Sequence, residues 1–174
     1  MSSWLQSIFT SPILNPDTDT TNFINYFDTK YSNEHPNFLT GSYQLAVEKA
    51  FQQSKLLIVY MHSPLHVDSD EFCNKIICSA SFIEYTNSNF LFWAGSMSDM
   101  EAYSLSIQLK TTSFPFLTVF MCQSKNAVQI ADRFNGTITG AEATDEGTVI
   151  DRLNLILEAY TVIIDRGVSE VESR

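Results

Sequence analysis

Apolar positions along the chain fall into two periods. Phe23, Ile24, Phe27 and Tyr31 repeat at three and four residues, which predicts a helix capped by Thr21 or Asn22 and interrupted at His35-Pro36. Gly41-Ser42 opens a second helix whose apolar face is Tyr43, Ala46, Val47, Ala50 and Phe51. Leu56 to Met61 is apolar at every position and reads as a central strand buried on both faces. A loop follows, from His62 to His66. Asp68 and Ser69 then cap a helix whose buried side is Phe72, Ile76 and Ile77, and a short helix carries Phe82, Ile83 and Tyr85. Asn89–Ala94 is the next strand. Ser98 and Glu101 form a capping box for a helix through Ala102, Leu105, Ile107 and Leu109. Phe114–Met121 is a strand with Pro115 at its start, and Ala127–Phe134 is a further strand. The Asn135-Gly136 turn and a polar loop over 137–147 lead to a last amphipathic helix carrying Val149, Ile150, Leu153, Ile156, Leu157, Tyr160 and Ile164.

A strand–helix–strand start implies a parallel crossover, and two late strands close together imply an antiparallel pair. The expected architecture is α/β, a mixed sheet with helices on both faces. Residues 1–20 read as a separate segment and linker, with Pro12, Pro16 and the polar run Asp17–Thr21. Trp4, Leu5, Ile8 and Phe9 in it fall at helical spacing, which suits docking on the domain's own core, a frayed end or a membrane-surface anchor. The expected domain is 21–168, with 169–174 a tail.

The 174 residues fit one domain, and 44% hydrophobic residues are enough for a core. Twenty acidic against ten basic residues give a formal charge of −10. That balance argues against nucleic acid, whose phosphates require clustered Lys and Arg, and against electrostatic docking on anionic lipid. Three cysteines without framework spacing point to a reducing compartment. No apolar run approaches the ~18 residues of a membrane span, and the N-terminus does not read as a secretory signal.

Four blocks carry a closer resemblance: Tyr31–Tyr43 (YSNEHPNFLTGSY), Leu56–Cys78 (LLIVYMHSPLHVDSDEFCNKIIC), Asn89–Trp93 (NFLFW) and Thr112–Leu117 (TSFPFL). They resemble the UAS domain of the FAS-associated factor family of UBX-domain proteins, in the type anchored at the endoplasmic reticulum and lipid droplets. The similarity runs from about residue 23 to about 165. It implies a thioredoxin-like three-layer fold with an extra N-terminal helix, and a cis peptide at Pro115. It further implies a cytosolic interaction module in ubiquitin-dependent degradation, binding proteins of that pathway. Long-chain unsaturated fatty acid is an implied ligand, with self-association in response. The family's membrane hairpin, ubiquitin-associated domain and UBX domain find no match in this sequence, which therefore reads as a fragment or short form. Family members recruit the valosin-containing-protein ATPase through the UBX domain, and this stretch is not expected to do so.

A thioredoxin-like frame raises thiol–disulfide exchange as the alternative function. That chemistry requires a thiolate at a helix N-terminus and a resolving cysteine three residues on. The corresponding loop, His62–Ser69, holds no cysteine. Cys73 and Cys78 are five apart, about 500° around an α-helix, and so are expected to point about 140° apart. Asp70 and Glu71 beside them disfavour a thiolate. The expectation for Cys73, Cys78 and Cys122 is small buried hydrophobes, and for the chain a non-catalytic role without cofactor.

His62, His66, Asp68 and Asp70 invite a metal reading, but the pair of histidines spans a loop, and capping and loop shaping is the favoured role. His35 is read as a packing or hydrogen-bonding residue. No phosphate-binding glycine motif or nucleophile elbow occurs. Phe90, Phe92, Trp93, Phe114, Phe116 and Phe120 are read mainly as core, with a groove wall beside Pro115 as the other role. Lys55, next to the matched block Leu56–Cys78, and Lys75, within it, are the bases that could meet a ligand carboxylate.

Overall fold

The structure, a computed structural model, describes residues 15–135 and 144–172. The apolar stripe at Trp4–Phe9, the turn at Gly136 and the loop to residue 143 lie outside them. Helix α1 is Pro16–Lys30 and α2 is Tyr43–Gln52. Strand β1 is Leu56–His62. Helix α3, Val67–Phe72, runs directly into a π-helical turn, Cys73–Ile77. Helix α4 is Ala80–Asn89, β2 is Phe90–Ser96 and α5 is Met100–Gln108. Strands β3, Phe116–Ser124, and β4, Ala127–Asn135, precede the long helix α6, Glu146–Glu172.

The sheet order is β2-β1-β3-β4. β1 and β2 are parallel, whereas β1/β3 and β3/β4 are antiparallel. All seven residues of β1 are buried: the six of the apolar run Leu56–Met61, as that run predicts, and His62, which extends the strand where a loop was expected. Its side chains alternate between two cores. Leu56, Ile58 and Tyr60 pack with Phe23, Phe27, Phe72 and Phe82 on one face. Leu57, Val59 and Met61 pack with Val47, Ala50, Trp93 and Leu105 on the other. Helices cover both faces, so the three-layer α/β expectation holds.

Several element boundaries differ from the sequence reading. The first helix starts at Pro16, five residues earlier than Thr21, because Asn15 caps it through Thr18 N–H at 3.3 Å and proline suits the first helical position. The polar Asp17–Thr21 run therefore forms the first turns of α1 and not a linker, with Thr20 buried where its hydroxyl accepts the Gly41 N–H at 2.9 Å. The cap of α3 is His66, whose Nδ1 accepts from Asp68 N–H at 3.3 Å, while Ser69 is buried inside the helix and donates to the Ser63 carbonyl at 2.7 Å. No Ser98–Glu101 box forms. Asp99 takes the cap position of α5, and Glu101 reaches across to accept the Tyr43 N–H at 2.9 Å, joining α5 to the start of α2. α6 continues through 169–172, where a tail was expected. The Phe114–Pro115 peptide is cis, as the resemblance implied, and β3 begins just after it.

Candidate functional site

The end of β1 carries a buried polar cluster. His62, the last residue of the strand, is fully buried. Its Nδ1 lies 2.9 Å from the Tyr60 hydroxyl and its Nε2 lies 3.4 Å from the Tyr26 hydroxyl. Tyr60 Oη also lies 3.3 Å from Cys73 Sγ, on the π turn. One arrangement satisfies these atoms: Tyr60 donates to Nδ1 and accepts from the Cys73 thiol, and the Nε2–H donates to Tyr26. Burial, and then the charge of Lys30, push the His62 imidazole down to about 4, so it is neutral near pH 7. The outer layer is ionic. Asp70 accepts from Tyr31 at 2.7 Å and pairs with Lys30 at 2.7 Å, which holds its carboxyl below the ordinary range.

This cluster does not assemble thiol chemistry. Ser63–His66, the loop between β1 and α3, exposes Leu65 almost completely and contains no sulfur. Cys73 sits past the end of α3, and burial pushes its thiol up to about 12. Burial likewise raises Cys78 and Cys122 to about 11. All three cysteines are free. The angular expectation for Cys73 and Cys78 is corrected, because the intervening turn is π and not α. Cys78 N–H bonds the Cys73 carbonyl at 2.9 Å, so the two stand one turn apart along the helix. Burial of Cys73 and the raised pKa of both are what suppress reactivity. We expect no insulin-reducing turnover above the free-thiol background, and Cys73 labelled by iodoacetamide at pH 7 at least tenfold more slowly than an unstructured thiol. Native-state labelling at the unstructured rate would contradict the geometry.

No set of three or more His, Cys, Asp or Glu side chains is placed to hold a metal among the described residues. His62 points inward and His66 serves as a cap, so the two histidines do not converge. His35 stacks on Phe38 with ring centroids 4.3 Å apart and bonds Asp28 and the Pro36 carbonyl, a packing role. Phe90, Phe92, Trp93, Phe116 and Phe120 are core, and Phe114 beside the cis peptide is half-buried.

The opposite end of the sheet holds a site the sequence reading missed. Between α6 and the strands runs an apolar groove of about 310 Å³, walled by Met121, Ala131, Leu155, Ala159, Tyr160 and Ile163. A neighbouring hollow of about 290 Å³ adds Phe51 and Ile164, and another of about 160 Å³ adds Lys55; Tyr160 borders all three. The available signal was the surplus of apolar residues on α6. Leu155 and Ile163 lie outside the buried Val149–Leu153–Tyr160 stripe and stay about half or more exposed. Lys55 thus faces a hollow, whereas exposed Lys75 is ion-paired with Glu71 one turn earlier. The two candidate lysines border different features.

Known proteins match this chain over most of its length. The family model for Fas-associated factor 1 matches residues 23–103, which span α1 to the start of α5. FAS-associated factor 2-B of Xenopus laevis is 33% identical over 86% of the chain, and FAS-associated factor 2 of Homo sapiens is 32% identical over the same share. Plant UBX domain-containing protein 10 of Arabidopsis thaliana is 30% identical over 66%. The chain spans about a third (32%) of the length of the FAS-associated factor 2 relatives and 24% of the plant protein. Among solved structures, a thioredoxin from Thermus thermophilus superposes with a TM-score of 0.56 at 14% identity, covering 66% of this chain and 83% of that one. The last likeness gives the thioredoxin-like fold alone. The sequence relatives give more: the chain is related to the FAS-associated factor family, matching about a third (32%) of the length of FAS-associated factor 2.

Proposed function

We propose that this chain is a non-catalytic, UAS-type interaction module of a UBX-type adaptor in ubiquitin-dependent degradation, acting on the cytosolic face of the endoplasmic reticulum or lipid droplets. The observation that carries the reading is the loop between β1 and α3 on a thioredoxin-like frame: thiol exchange requires a cysteine at this helix start, and the loop exposes Leu65 and holds no cysteine. The kinship to FAS-associated factor 2 and to a UBX domain-containing protein supports the adaptor context. Among the described residues no helix is long and apolar enough to cross a membrane.

The finer reading is that the module senses long-chain unsaturated fatty acid. The α6 groove supports it. Its walls are apolar, it joins two further hollows, and Lys55 borders one end where a carboxylate would sit. Lys75, neutralised by Glu71, is not part of this site. Titration with oleate, followed by calorimetry and light scattering, tests the reading. Saturable binding with a size increase is expected, weakened about three- to tenfold by Lys55→Ala and unchanged by Lys75→Ala. Absence of binding and of any size change removes the lipid sensor and leaves the protein-interaction module. Insulin-reducing turnover would instead revive the thiol oxidoreductase alternative.

A further inference from the structure

The two edges of the sheet are treated differently. The β2 edge is covered: Phe38 forms a parallel bridge with Phe92, and Leu39 N–H bonds the Phe92 carbonyl at 2.8 Å. The β4 edge is not covered in this way. Among the described residues, no backbone bond joins residues 127–131 to anything beyond the ladder with β3. This stretch, Ala-Val-Gln-Ile-Ala, holds none of the charged or proline residues that usually blunt an open edge. Farther along, Asp132 and the Arg133 carbonyl are occupied by Arg152.

This edge borders the apolar groove. The register shift between Val119 and Phe120 leaves Ala131 without a partner on β3, and both Gln129 and Ala131 line the groove opposite Leu155, Ala159 and Ile163 of α6. An edge strand beside a helix, with an apolar trough between them, is the arrangement that accepts an added strand. Main-chain bonds to the edge supply affinity, and pockets for alternate side chains supply selectivity.

We propose that β4 and α6 together form a docking site for an extended peptide segment of a partner protein, which pairs with residues 127–131 and places alternate apolar side chains against Leu155 and Ile163. Charge selects the occupant. Lys125 and Arg133 flank residues 127–131, so a second β4 would set like charges opposite one another, and a segment flanked by Asp or Glu fits better. This inference rests on the reading of the domain as an interaction module and supplies the missing surface.

A displayed library of random decapeptides, selected on the whole 174-residue chain, is the test. Enrichment of sequences alternating apolar and polar residues with acidic flanks is expected. A synthetic selected peptide should slow amide hydrogen exchange at residues 127–131 by at least tenfold. N-methylation of its alternate main-chain nitrogens on the pairing edge, Leu155→Asp or Ala131→Glu should each weaken binding at least tenfold. Both protein substitutions are at exposed positions, so folding is retained and is checked by circular dichroism. Failure to enrich any peptide, enriched peptides indifferent to N-methylation, or protection elsewhere than β4 each overturn the proposal. So does sedimentation showing that β4 pairs with a second copy instead. Oleate binding is read separately: peptide docking without an oleate response sinks only the lipid reading, and the reverse result sinks only this one.

Discussion

Between pH 6.5 and about 4, His62 alone is expected to remove about 3 kcal/mol of folding stability. In the unfolded chain its imidazole titrates near the ordinary value of 6.5, and in the folded protein burial depresses it to about 4. The neutral form is the one the fold accommodates. Stability from this residue is therefore complete above pH 6.5 and is lost as the pH falls toward 4, where the unfolded chain binds a proton that the folded chain refuses. The groups around it do not rescue a charge. The Tyr26 hydroxyl of α1 offers only a hydrogen bond, Tyr31 just past α1, Tyr60 of β1 and Cys73 of the π turn are neutral at these pH values, Lys30 is cationic, and of these groups only Asp70 favours protonation. Asp99 and Glu101 act with the opposite sign, since burial raises both carboxyls and protonation relieves them. The comparison that isolates His62 is urea unfolding at pH 7.5, 6.5 and 5.5 for the native chain and His62→Gln. The variant is expected to be about 1–3 kcal/mol weaker at pH 7.5, from lost bonds and ring packing, and to lack about 1.4 kcal/mol of the native chain's decline between 7.5 and 5.5. Parallel pH profiles would show that His62 is accessible to protons in the folded state.

The same residue shows what sequence reasoning reaches. The buried strand is legible because six consecutive residues, Leu56–Met61, are apolar, as a central strand requires; its last residue, His62, was expected in the loop and instead ends the strand. The parallel crossover to β2, the antiparallel return of β3 and β4, and the cis peptide at Pro115 follow from element order and the family resemblance. The inward turn of His62 is different in kind. Loop shaping and metal binding both assume a ring facing outward, and only the positions of Tyr26, 36 residues away, and of Tyr60 and Cys73 show otherwise. Glu101 fails for a related reason: local spacing offers it a capping box, but a tertiary acceptor role at Tyr43 N–H wins. The π turn is likewise invisible, because CNKII carries the same apolar spacing in an α or π turn. The groove escapes because its walls are drawn from β1, β3, β4 and α6, whose apolar residues look individually like core.

Gly95 gives the second large effect, and its origin is room for a side chain and not backbone freedom. A Cβ built on Gly95 lies 2.7 Å from Cη2 of Trp93 and 3.0 Å from Cβ of Ala102. Neither neighbour can yield. Trp93 is buried, its Nε1–H donates to the Gly41 carbonyl at 3.0 Å, and its ring meets Tyr43 edge-on at 6.0 Å. Ala102 sits in the first turn of α5, whose neighbour Glu101 is tied to Tyr43. An added methyl must therefore push α5 away from β2. We expect Gly95→Ala to cost about 1–3 kcal/mol and Gly95→Val more, a large fraction of the stability of an ordinary domain. Gly167→Ala, on α6 where an added Cβ meets nothing within 4 Å, is the control and should cost nothing. Urea midpoints measure the difference, and the near-ultraviolet band of Trp93 should change in the Gly95 variants alone. The consequence extends to the polar cluster, because Met97 N–H, just past Gly95, bonds the His62 carbonyl at 2.8 Å. If Gly95→Ala falls within 0.5 kcal/mol of the native chain, α5 is not clamped against β2 and the tight contact over Trp93 does not hold in solution.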